Sequence, residues 1–165
     1  MTRDRVGAEK QVLWEFLDQQ LEVVLWKLEG LSDDQLRQPL TGSGMCLLAL
    51  AKHVAGVPCY WLCEMFDRPV EPWPGLETDD VELDPADTAT SVLGYFERAR
   101  AAAHEAIIEL DLEATGTTWL GDTVSVRWAI LHTIEEAARH AGHADFMRES
   151  LDNTTGYLPP KNLPY

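Results

Sequence analysis

Four long stretches of the chain repeat their apolar residues at intervals of three and four, the spacing that lines one face of an α-helix. A helix with one apolar stripe must bury it against another, so the pattern predicts helices packed around a shared core. The first stretch, residues 5–29, carries Val12, Phe16, Gln20, Val24 and Leu28 on one line and Leu13, Leu17, Leu21 and Leu25 on the next. Gly30 then closes that helix, and Ser32 caps a short helical turn. The second stretch, residues 45–66, contains Pro58, whose missing N–H deprives the Val54 carbonyl of its donor and should bend the helix. The third, residues 86–110, sets Val92, Tyr95, Phe96, Ala99, Ala103, Ala106 and Leu110 on one side, with Asp84 before Pro85 marking its start. The fourth runs over residues 125–151.

The connections complete the prediction of an all-α, antiparallel four-helix bundle with a long crossover loop between its second and third helices. That loop, residues 69–84, is rich in proline and acid; it is either a plain crossover or a lid whose Trp73 covers the mouth of a site. A small hairpin is expected around Gly121 and Asp122, and an irregular tail over residues 153–165. No internal repeat or composition break divides residues 1–165, which read as one domain.

Charge narrows the function. Thirteen basic residues face 28 acidic ones, a net charge of -15, which offers neither nucleic acid nor an anionic membrane a landing surface. No apolar run reaches the roughly 18 residues that span a bilayer. The opening residues, Met1 to Arg5, are polar and lack a signal-peptide core. Three cysteines make a disulfide scaffold a poor fit and a reducing cytoplasm the expected setting.

The fourth stretch holds the chemistry. At about 100° per residue, Val126, Ala129, Thr133, Ala137, Ala144, Met147 and Leu151 fall on one line, and Glu136 and His140 sit in its middle, one turn apart. A carboxylate among alanines needs a cation, and a carboxylate with an imidazole one turn away is half of a divalent metal site. The only histidine of the second stretch, His53, lies among the small residues Cys46, Ala49 and Gly56 and supplies the other half. Two nitrogens and one carboxylate oxygen leave a coordination position open, as catalytic zinc sites do; nickel and iron accept the same donors. His132 and His143 flank this face as further ligands, supporting groups or solvent-exposed neighbours, with a supporting role expected of His143. Arg139 is explained by a surface pair with Glu135. The sequence after His132 lacks the second histidine of a zinc-protease helix, and Cys59 and Cys63, with no second pair, read as core thiols.

The tract Ala51-Lys52-His53-Val54-Ala55, followed by Glu136-x-x-Arg139-His140-x-Gly142-His143-x-Asp145, resembles the DinB-like superfamily. Its nearest likeness there is to the metal-binding domain of mycothiol-dependent maleylpyruvate isomerase, which has glutamate at the first position of the last-helix pair. The resemblance implies a four-helix bundle, often dimeric, with His53, Glu136 and His140 as ligands of zinc or another divalent ion. It also implies a low-molecular-weight thiol as cosubstrate, in a transferase or isomerase acting on a small electrophile. Arg139, His143 and Asp145 enter from the motif as candidates to support the centre or contact the thiol. The 165 residues leave no room for that isomerase's second domain, so its particular reaction is not carried over. Two other expectations remain open: a non-catalytic, metal-stabilised dimer, and a hydrolase using metal-bound water. An apolar strip of Leu131, Ile134 and Ala138, away from the metal face, leads us to expect a homodimer.

Overall fold

In the computed structural model, which describes residues 8–70 and 82–156, every predicted stripe is a helix: α1 (Glu9–Leu28), α3 (Leu47–Pro58), α4 (Ala89–Glu109) and α5 (Val126–Asp152), with the short α2 (Asp33–Leu36) after Gly30. A two-stranded hairpin, β1 (Thr115–Thr117) and β2 (Thr123–Ser125), links α4 to α5. The centre of the expected crossover, with Trp73, and the tail beyond residue 156 lie outside the described residues. No helix among the described residues is long and apolar enough to cross a membrane.

Ion pairs record the direction of each helix. Glu9 pairs with Arg127 at 2.8 Å and Lys27 with Asp145 at 2.7 Å, so α1 and α5 run parallel. Lys52 meets Asp87 at 2.9 Å and Arg68 meets Glu109 at 2.8 Å, so α3 and α4 are parallel as well. Lys10 donates to the Ile108 carbonyl at 2.8 Å and Asp18 meets Arg100 at 2.5 Å, which together set α1 antiparallel to α4, and contacts of His53 with His140 and of Trp61 with Trp128 set α3 antiparallel to α5. The bundle is therefore antiparallel across two of its faces and parallel across the others. This follows from the crossover, because consecutive parallel neighbours need a connection that returns along the bundle.

Local chemistry sets the boundaries. After Pro58 the helix continues as a single π turn, Cys59–Cys63, and the Glu64 N–H reaches back to the Cys59 carbonyl, so the missing Pro58 donor is followed by a change of helix type. α4 starts later than Asp84 suggested. Thr88 and Ser91 cap it reciprocally, whereas Asp84 is folded into a turn in which its N–H donates to Asp87 at 2.7 Å. Ser125 caps α5, as its predicted start requires, by accepting from the Trp128 N–H. In the hairpin, Gly121 takes a positive φ of 88°, and Trp119 and Leu120 are exposed residues of the loop between the strands. A side chain on Gly116 would collide with the Met65 carbonyl, so β1 lies directly on the end of the α3 segment.

The core unites Leu17, Leu21, Val24 and Leu28 of α1 with apolar residues of α3, α4 and α5. Phe16, predicted on the α1 stripe, is 57% exposed. A line of residues four apart turns about 40° per step, so its Phe16 end rotates off the core while Val24 and Leu28 remain buried. Two lysines, Lys27 and Lys52, are buried within this frame, each against an aspartate. On α5, Leu131 and Ala138 are exposed and Ile134 is half-buried.

Candidate metal centre

α3 is almost wholly buried, and along it only His53 and Gly56 are half-buried, which opens a line toward α5. Facing it, Glu136 and His140 rise from the apolar face of α5, their side chains 27% and 16% exposed. Antiparallel contact between the two helices carries His53 to the level of His140. Nε2 of His53 lies 3.1 Å from Nε2 of His140, and that atom lies 3.4 Å from Oε2 of Glu136. One ligand atom from each of the three residues lies within 4.8 Å of the other two.

These separations are informative. Zinc binds histidine nitrogen and carboxylate oxygen at about 2.0–2.2 Å, so neighbouring ligands of a tetrahedral site sit about 3.3 Å apart. The observed 3.1 and 3.4 Å match that edge length. Burial and the nearby His53 both pull the His140 pKa below its usual value, against the smaller opposing pull of Glu136. Both favour the neutral imidazole, the form with a lone pair to offer. With Nε2 of His53 and His140 and Oε2 of Glu136 so close, either a proton or a cation bridges them, and two imidazoles with one carboxylate are a donor set that suits a divalent ion.

Around this cluster, Nδ1 of His143 stands 3.3 Å from Nδ1 of His140, on the side of the ring away from Glu136 and His53. His132 lies outside the cluster, stacked on Trp128 with ring centres 4.9 Å apart and edge-on to Trp61 at 4.3 Å. Arg139 pairs with Glu135 at 2.8 Å, both largely exposed. Asp145 reaches across to the buried Lys27, whose ammonium also donates to the Gly156 carbonyl at 2.6 Å. Of the motif residues expected beside the centre, His143 is the one placed against a candidate ligand.

All three cysteines are free and buried. Burial raises the Cys59 thiol, and it pushes that of Cys63 up to about 11. Neither has the exposed, electropositive surroundings of a reactive thiolate, and the expectation of core thiols holds. Sequence reasoning passed over the aromatic neighbours of His132, because Trp61 and Trp128 come together only when the π turn and the start of α5 are seen side by side.

A family model described as mycothiol-S-transferase matches residues 12–153. Among solved structures, a conserved protein from Enterococcus faecalis superposes with a TM-score of 0.65 and 16% identity, covering 90% of this chain and 100% of its own. That likeness is one of fold. No curated protein matches the sequence.

Proposed function

The chain belongs to the mycothiol-S-transferase family, a DinB-like family, and on that premise we propose that it transfers a low-molecular-weight thiol to a small electrophile at a divalent-metal centre held by His53, Glu136 and His140. Zinc is the first choice of metal, with nickel and iron accepting the same donors. The observation that carries this is the convergence of three half-buried side chains, two of their separations at a ligand edge and all within 4.8 Å.

His53, Glu136 and His140 would hold a divalent ion there, and the chemistry it would supply is a lowered thiol pKa, so that a bound thiol could react as thiolate at neutral pH. The chain's own residues supply the rest. His140 turns Nε2 toward the cluster and presents Nδ1 to His143, so an Nδ1–H donated across that contact fixes the tautomer the ligand role requires. Glu136 adds one negative charge, which favours a divalent cation over a proton at the same place. Because Cys46, Cys59 and Cys63 are buried, the sulfur that reacts comes from the cosubstrate. In the transfer, sulfur bonds to the electrophilic carbon, the bond to the leaving group breaks, that group departs with its electron pair, and the thiol proton passes to solvent. The exposed Leu131 and Ala138 support a homodimer built on α5.

The test combines elemental analysis of untagged protein with turnover of mycothiol and monochlorobimane. We expect about one divalent ion per chain and bimane conjugation that a chelator abolishes and added zinc restores. Stoichiometric metal without conjugation would favour the non-catalytic metal-stabilised protein, and chelator-sensitive ester hydrolysis without thiol transfer would favour the hydrolase. Glu136→Gln keeps the size of the ligand and removes its charge, so it is expected to weaken metal affinity by at least about tenfold. Unchanged affinity in a competition titration would remove Glu136 from the ligand set.

A further inference from the structure

A cavity of about 350 Å³ opens beside the candidate metal centre, toward the C-terminal end of α5, and His140 and His143 form part of its wall. We infer that this cavity receives the uncharged, apolar body of the electrophile, a compact ring such as a nitroaryl group, and presents its reactive carbon beside His140.

The lining supports this class of ligand. Its inner surface comes from Leu50 and Met147, both nearly inaccessible to solvent, while Phe146 stands at the mouth with 76% of its surface exposed. Leu40 and Met45 add further apolar lining from the loop before α3. An exposed phenylalanine beside the half-buried His140 and the exposed His143 gains by covering its ring, and a flat apolar ligand provides that cover. The polar groups at the rim are hydroxyls already engaged: Thr41 with Ser43 at 3.0 Å, and Ser150 donating to the Phe146 carbonyl at 2.8 Å. No lysine or arginine is among the described residues that line the cavity, so a carboxylate held at its apolar inner wall, away from the metal centre, would be desolvated there without a side-chain countercharge, in a protein already at -15. The volume sits near the small end of the roughly 300–1,000 Å³ of ligand pockets, enough for a single ring and its substituents.

The wall is also formed in advance. Between α2 and α3 the Leu40 N–H donates to the Met45 carbonyl at 2.9 Å and the Met45 N–H to the Thr41 hydroxyl at 3.0 Å, around Gly44 at a φ of +87°. A loop bonded in this way holds its side of the cavity without having to order on binding. The reaction at the bound ring rests on the thiol-transfer reading, whereas the binding of the ring does not.

Both are tested in one design. Binding is followed by ligand-observed NMR with m-dinitrobenzene, which has no leaving group. Turnover is followed with mycothiol and chlorodinitrobenzene, in which sulfur bonds to the ring carbon, the C–Cl bond breaks, chloride leaves with the electron pair and the thiol proton goes to buffer. We expect m-dinitrobenzene to bind the wild-type protein. Ser150→Trp, at an exposed position in the last turn of α5, should weaken that binding by about tenfold with metal content unchanged. Phe146→Ala should weaken it in the same direction, and the KM for chlorodinitrobenzene should follow. The carboxylated analogue chloronitrobenzoate should show a KM about tenfold higher or more. Binding that survives both substitutions, or a chloronitrobenzoate KM equal to that of chlorodinitrobenzene, overturns the assignment. Ring binding that responds to Ser150→Trp in a protein with no thiol turnover upholds the cavity and removes the thiol-transfer reading instead.

Discussion

His53→Ala is expected to leave a folded protein that no longer retains metal through dialysis and no longer conjugates thiol. His53 is the member of the cluster that α3 contributes, and Glu136 and His140 both stand on α5. Removing it leaves two donors from a single helix. Structural zinc sites with four ligands bind with about 10–16 kcal/mol, or roughly 3 kcal/mol for each ligand, so one deletion lowers affinity by about two orders of magnitude. Because His53 is half-buried and its neighbours Val54 and Ala55 carry the core contact, the helical circular dichroism should remain close to that of wild-type protein treated with chelator. Elemental analysis after dialysis, with a competition titration against a chromophoric chelator, gives the result. A variant that still binds one ion per chain at wild-type affinity would show that the ion lies elsewhere, and the proposed activity would lose its centre.

Why this site was visible in the sequence, when other parts of the structure were not, has a physical basis. Glu136 and His140 stand out because a helix stacks residues four apart, and two ionisable groups inside an apolar line demand an explanation that needs no tertiary information. His53 is one step less direct. Its face is legible, but its level beside His140 depends on α3 and α5 being antiparallel neighbours, which follows from the bundle and not from the tract itself. The direction of the remaining helix pairs is set by ion pairs between residues far apart in sequence, such as Glu9 with Arg127. Lys27 and Lys52 illustrate the limit more sharply. A lysine beside an apolar stripe reads as the solvent edge, because its cost of burial is offset only by a partner from another element, Asp145 or Asp87. Asp145 accordingly looks like a companion of the metal motif in sequence, and in the structure it neutralises a lysine of α1. The cavity beside His140 was equally invisible, since its walls come from a loop, α3 and α5, and none of the three carries a periodic signal for it.

The larger stability effect is expected from Asp87→Ala, although Asp87 lies outside the metal cluster. Lys52 precedes His53 on α3 and is 4% exposed, and Asp87, just ahead of α4, is 6% exposed. The pair is 2.9 Å apart, the same carboxylate oxygen accepts the Asp84 N–H, and the Lys52 ammonium also donates to the Glu82 carbonyl at 3.0 Å. The Asp87 carbonyl in turn accepts from Arg37. One aspartate thus ties the α3 helix that carries His53 to the end of the crossover and the start of α4. Removing its carboxylate breaks a buried ion pair from one side, a change that costs about 3–5 kcal/mol where it has been measured in proteins. For a chain of this size, 3 kcal/mol corresponds to a fall in Tm of roughly 6–12 °C. The measurement should be made in chelator, because bound metal would stabilise the folded state and mask part of the loss. Lys52→Met combined with Asp87→Leu removes both charges and keeps the volume, and should restore most of the stability. A single variant within 1 kcal/mol of wild type in urea denaturation, or a double variant no better than the single, would mean that the buried pair is not what fixes α3 against α4.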